Sequence, residues 1–140
     1  MLETFETVAK AIADPSRVRI LKLLEKGELC VCQVTLALDL APATISKHLA
    51  ALKTAGLLQQ RRDGKWIYYR LAERELNPYA HNFLALLRAA LQQDPTVGED
   101  LRRLAKINRV PVQRLCDRGR AVIETTAPAA EATSCTRVSP

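Results

Sequence analysis

Between residues 57 and 71 the apolar spacing of the chain changes from that of a helix to that of a strand, and the change is centred on Asp63-Gly64. A type I′ turn needs positive φ at both central residues, so Asp-Gly between strand-forming flanks is the strongest short hairpin signal a sequence offers. The flanks are Leu58-Gln59-Gln60-Arg61-Arg62 and Lys65-Trp66-Ile67-Tyr68-Tyr69-Arg70-Leu71. Trp66, Ile67, Tyr68 and Tyr69 all favour a pleated strand. Tyr68 and Tyr69 point to opposite faces, so one is expected to pack and the other to be exposed. A chain with one such hairpin and helical spacing around it is confined to a mainly helical fold with a β appendage.

The helical segments read in order. Phe5, Val8, Ala9 and Ile12 lie on one face of a helix over residues 4–13. Asp14-Pro15-Ser16 breaks it and opens a second helix to Lys26, closed by Gly27. A short helix is expected to begin near Val31 and to end in a tight turn at Asp39-Leu40-Ala41. Pro42 then sits at the first position of a helix running to about Ala55, with Ile45, Leu49 and Leu52 as its buried stripe and Gly56 as its left-handed stop. Beyond the hairpin, Asn77-Pro78 opens a helix to about Gln92, and Val97 to Ile107 is a last candidate. Residues 1–94 form the expected domain, 95–124 a helical extension, and 125–140 a tail of disordered composition.

Short helix, three-residue turn, helix and basic hairpin together make a winged helix-turn-helix. Its second helix lies in the major groove with N-terminal residues against base edges. With Ile45 and Leu49 turned inward, Thr44, Ser46, Lys47 and His48 project outward as DNA contacts. The wing residues Arg61, Arg62 and Lys65 suit phosphates or the adjacent minor groove. Charge agrees with this: residues 41–70 carry Lys47, Lys53, Arg61, Arg62, Lys65 and Arg70 against Asp63 alone, and so hold most of a chain total of +6. A solvated basic face is the bland alternative. The apolar surplus on the 4–13 and 77–92 helices points to a homodimer. A two-fold dimer sets its recognition helices ~34–36 Å apart and implies an imperfectly palindromic duplex operator.

At 140 residues, 48% of them hydrophobic, the chain is a globular domain with a tail, which excludes a large multidomain enzyme. No apolar run approaches the ~20 residues of a membrane helix. The acidic start Met1-Leu2-Glu3-Thr4-Phe5-Glu6 is unlike a signal peptide, so a cytoplasmic protein without membrane contact is expected. In that compartment Cys30, Cys32, Cys116 and Cys135 are expected as thiols. An enzyme with a nucleophilic cysteine needs a base beside it. The two histidines, His48 and His81, form no such pair in the sequence.

Four segments carry a resemblance. Asp14-Pro15-Ser16-Arg17-Val18-Arg19-Ile20-Leu21, Glu28-Leu29-Cys30-Val31-Cys32, Ile45-Ser46-Lys47-His48-Leu49 and Asp63-Gly64-Lys65-Trp66-Ile67-Tyr68-Tyr69-Arg70-Leu71 occur in order over residues 4–92. Together they resemble the ArsR/SmtB family of metal-sensing repressors, and the second segment resembles its arsenical repressors. The resemblance implies a homodimer that binds operator DNA and leaves it when As(III) or Sb(III), the inducer, binds the cysteines. It implies no organic cofactor. Three positions depart from the pattern. Thr35 stands where the arsenical repressors carry a third cysteine, Ala41 where a serine often caps the recognition helix, and only His81 is available for a zinc site on the last domain helix.

The thiol chemistry constrains the mechanism. As(III) is soft and takes thiolates, three for the inorganic ion and two for a mono-organyl arsenical such as methylarsenite. On a regular helix Cys30 and Cys32 stand roughly 200° apart and cannot share an ion. In an extended segment they fall on one side. Ligation by both therefore requires the start of the short helix to be extended or to unwind, and a helix N-terminus favours their thiolates. Cys116, among arginines, is the leading third ligand, ahead of Cys135 and of an external thiol or solvent. Oxidation of the same thiols is the alternative trigger.

Overall fold

The structure, a computed structural model, describes residues 1–64, 66–112 and 115. Among these residues the elements run in the order α1 (Leu2–Ile12), α2 (Pro15–Leu24), β1 (Leu29–Cys30), α3 (Val31–Leu38), α4 (Pro42–Thr54), β2 (Leu58–Asp63), β3 (Trp66–Leu71), α5 (Ala80–Ala89) and α6 (Pro95–Ile107). This is a winged helix-turn-helix: α3 and α4 are the motif and the β2–β3 hairpin is the wing. Among the described residues no helix is long and apolar enough to cross a membrane.

Local chemistry sets the boundaries. Asp14 caps α2, its Oδ1 accepting from the N–H groups of Ser16 (2.8 Å) and Arg17 (3.1 Å), with Pro15 at the first helical position. The turn between α3 and α4 is made by Asp39 in the left-handed region at φ 56°, its N–H bonded to the carbonyl of Thr35. Ala41 has no side-chain cap to offer α4, and Pro42 follows it. Helix α5 starts at Ala80 rather than Asn77, because Asn77 Oδ1 holds the Tyr79 N–H (2.9 Å) in a turn ahead of it. It stops at Ala89, where the buried Lys22 ammonium donates to the carbonyls of Leu87 and Ala90, both at 2.9 Å.

The sheet differs from the expected lone hairpin. Strand β1 pairs antiparallel with β3, Leu29 opposite Tyr69 and Cys30 opposite Tyr68, giving the order β1-β3-β2. Two residues are too short for an alternation signal, so this strand leaves no mark in the sequence. The wing turn is also displaced by one residue. Asp63 pairs with Trp66, so the ladder continues through Asp63 and the turn begins at Gly64, φ 63°.

One core joins all the helices. Ile20, Leu21 and Leu23 of α2, Val34 and Ala37 of α3, Ile45, Leu49 and Leu52 of α4, and Leu104 and Ile107 of α6 are buried together. Val110 and Leu115 belong to the same cluster, so the chain past α6 is part of the packed body at those positions. Neither tyrosine of β3 is exposed. Tyr69 is half-buried on the helical core, and Tyr68 is buried on the other face with Cys30, Val112 and Trp66. The expected exposed tyrosine is covered because the segment after α6 lies over the second face of the sheet. In contrast, α1 and α5 leave apolar surface open, with Phe5 44% and Leu86 66% exposed.

Gly56 ends α4 at φ 77°, and a Cβ there would meet the Asn77 Cβ at 2.9 Å. Left-handed backbone alone costs an L-residue about 1–2 kcal/mol. Gly56→Ala is expected to lower the unfolding free energy by at least that amount, measured by urea denaturation.

Candidate nucleic-acid interface and thiol site

Helix α4 separates its faces as the apolar spacing requires. Ile45 and Leu49 are fully buried, while Thr44, Ser46 and Lys47 are exposed on the opposite side. Two hydroxyls and an ammonium at the start of such a helix offer donors and acceptors to base edges and phosphates. His48 is half-buried and tied to the rest of the molecule. Arg17 Nε of α2 donates to its Nδ1 at 3.2 Å. A neutral imidazole accepting at Nδ1 carries its proton on Nε2, so Arg17 fixes which nitrogen can donate outward. Arg17 was not legible as a site residue, because its partner lies 31 positions away.

The wing is less uniform than its sequence. Arg62 is exposed at the end of β2. Arg61 instead turns onto the face of Tyr68, its guanidinium 4.2 Å from the ring centroid, and pairs with Glu28, Nη2 to Oε1 at 2.6 Å. That hydrogen bond holds the Arg61 pKa above its usual value. For Arg61 to reach a phosphate it must leave Glu28. Lys65 lies outside the described residues.

Cys30 and Cys32 sit at the junction of β1 and α3. Cys30 is the N-cap of α3, with extended backbone at φ −95°, ψ 160°, and Cys32 is the second helical residue. The backbone is extended at Cys30 but helical from Val31 onward, so the extended stretch ends between the two thiols. Neither thiol is in a disulfide. Cys30 is fully buried and Cys32 half-buried. A capping box joins Cys30 to Gln33, with the Cys30 N–H donating to Gln33 Oε1 at 3.0 Å. Gln33 Nε2 then donates to Asn108 Oδ1, at the end of α6, at 3.1 Å. Thr35 spends its hydroxyl on the carbonyl of Val31 at 2.7 Å, one turn back in the helix. His81 is exposed on α5. Among the described residues no cluster of three or more His, Cys, Asp or Glu could hold a metal ion. Cys116 and Cys135 lie outside the described residues.

Residues 14–60, which include the whole helix-turn-helix and both near thiols, match the family described as "Bacterial regulatory protein, arsR family". The chain is 52% identical over 65 residues to the arsenic resistance transcriptional regulator ArsR1 of Pseudomonas putida, covering 46% of this chain and 51% of that one. The chain thus spans about half the length of that relative. It is 37% identical over 107 residues to the arsenic resistance transcriptional regulator ArsR2 of the same organism, covering 76% of this chain and 90% of the relative. Among solved structures it resembles the homodimeric winged helix-turn-helix DNA-binding domain of Mb0332 from Mycobacterium bovis, at a TM-score of 0.54 and 36% identity, covering 62% of this chain and 77% of that one.

Ala41 already has extended backbone, φ −63° and ψ 142°, as an N-cap should. Ala41→Ser is expected to supply the missing acceptor and raise stability by about 1 kcal/mol, read as a higher midpoint of thermal unfolding. With its four motifs placed on one winged helix-turn-helix, and with nine-tenths of a named relative matched, the chain belongs to the ArsR family of bacterial transcriptional regulators.

Proposed function

We propose that the chain is a homodimeric repressor of an arsenic-resistance operon that leaves its operator when As(III) or Sb(III) binds Cys30 and Cys32. The observation that carries this reading is the position of α3. Its first turn holds both cysteines, and its body packs directly against α4, which presents Thr44, Ser46 and Lys47 outward. Both compared Pseudomonas putida relatives bear arsenic-resistance names.

Soft thiolates suit a trivalent metalloid, and since only Cys30 of the pair is extended, joining it to Cys32, two positions on, requires the first turn of α3 to open. Cys116 is the proposed third ligand. Val112 is buried in one cluster with Cys30, and Leu115 is buried in the helical core. On ligation the Cys30–Gln33 capping box opens, the first turn of α3 shifts, and α4 loses the backing that aims it. A nearly complete switch needs ~10⁴-fold preference of the inducer for the released state. Thr44, Ser46, Lys47 and His48 are the base and phosphate contacts, with Arg62, Lys65 and a redirected Arg61 on the wing. The open apolar surface of α1 and α5, with Phe5 and Leu86, is the dimer contact.

Arsenite added to the wild-type chain on a palindromic duplex is expected to release it. Cys30→Ser and Cys32→Ser chains should bind the duplex and stay bound, as followed by fluorescence anisotropy. Release of both variants by arsenite would contradict the assignment. Leu86→Glu should yield a monomer in sedimentation and weaken duplex binding about tenfold or more, since two half-sites no longer act together.

A further inference from the structure

Helix α6 contacts α3 at both ends. At the C-terminal end of α3 the last carbonyls have no helical partners. Two of them are taken by arginines: Arg103 Nη1 donates to Ala37 O and Arg19 Nη2 to Leu38 O, each at 3.2 Å. Asp100 of α6 organises both. Its carboxylate accepts from Arg19 Nε and Nη2, both at 2.8 Å, and stands 3.7 Å from Arg103 Nη1. Asp100 is 2% exposed. These groups lie immediately before the Asp39 turn, whose geometry sets the angle of α4.

At the other end of α3 the same helix reaches the thiols. Asn108, the C-cap of α6, accepts from Gln33, whose side chain also caps the Cys30 N–H. Val112, four residues on, is buried in one cluster with Cys30 and Tyr68, all three at most 1% exposed. Cys30 is fully buried, so a ligand that reaches its sulfur must move part of the packing around it. Val112 is the part of that packing that comes from beyond α6.

We propose that α6 and the segment through Val112 form a two-ended strap. Asp100 is a positioning residue that holds the turn for DNA reading, and Val112 is the cover of Cys30, so occupancy of the thiol and occupancy of DNA oppose each other through α6. The inference rests on the reading that α4 binds DNA, but not on which thiol ligand acts. Ligation lifts Val112, the Asn108–Gln33 contact breaks, and α6 shifts at Asp100, freeing the carbonyls that Arg19 and Arg103 hold. In reverse, DNA bound to α4 fixes the turn and keeps Cys30 covered.

The test uses the full chain with Cys32, Cys116 and Cys135 replaced by serine, so that Cys30 is the sole thiol, and a duplex selected by the wild-type chain from a random-sequence pool. The rate of Cys30 reaction with an aromatic disulfide reagent is measured with and without that duplex. Val112→Ala should raise the rate roughly tenfold, and the duplex should slow it in the parent. Asp100→Asn, at the far end of α6, should raise the same rate and weaken duplex binding on the order of tenfold. Arg103→Ala, at a 40% exposed side chain, should do both to a smaller degree and guards against misfolding of the first variant. Folded Asp100→Asn and Arg103→Ala chains with an unchanged Cys30 rate, or with unchanged duplex affinity, would overturn the strap. Failure of arsenite to release the wild-type chain, with these rates as expected, would overturn the metalloid reading alone.

Discussion

Cys30 is the last residue of β1, the N-cap of α3, the cross-strand neighbour of Tyr68 and a member of one buried cluster with Val112. Four pieces of the fold meet at one small side chain. Its burial depends on all of them, and the first turn of α3 depends on its backbone being extended. A change at that sulfur cannot stay local, because close-packed neighbours respond to the addition of even one atom. In the proposed switch, this is how a thiol on one helix influences the helix that follows it.

The polar contacts around α3 extend the same logic. A helix of eight residues is too short to be stable by itself. It is held by the capping box at its start, by the Arg19 and Arg103 donors at its end, and by burial of Val34, Ala37 and Leu38 in between. The Arg19–Asp100 hydrogen bonds raise the Arg19 pKa further above its already high value, so the guanidinium stays charged at every relevant pH. The recognition helix takes its aim from this short, externally supported element.

Much of the architecture was legible because it rests on local chemistry. Asp14-Pro15 announces α2, Pro42 and Gly56 bracket α4, and the Ile45/Leu49/Leu52 stripe sets which side of α4 faces out. What escaped depends on distant partners. Strand β1 exists because β3 pairs with it, and two residues carry no period of their own. Arg61 looked like an open wing cation, but Glu28 lies 33 positions away in sequence and beside it in space. Gln33 and Asp100 read as ordinary polar helix residues, and their roles appear only once α6 is laid along α3. Residues 95–124 read as a helical extension, and Val110, Val112 and Leu115 within it are buried. Their apolar character was visible, but nothing in their spacing said what they would cover.

The central claim is that a ligand on Cys30 opens the start of α3 and lifts the segment after α6. Amide hydrogen exchange of the full chain, with and without bound arsenite, reads this directly. Faster exchange at residues 30–34 and 108–112 that extends to the turn at 39–41 in the arsenite-bound chain is the result the account predicts. Stoichiometric arsenite binding that leaves exchange at Gln33 and Val112 unchanged would contradict it.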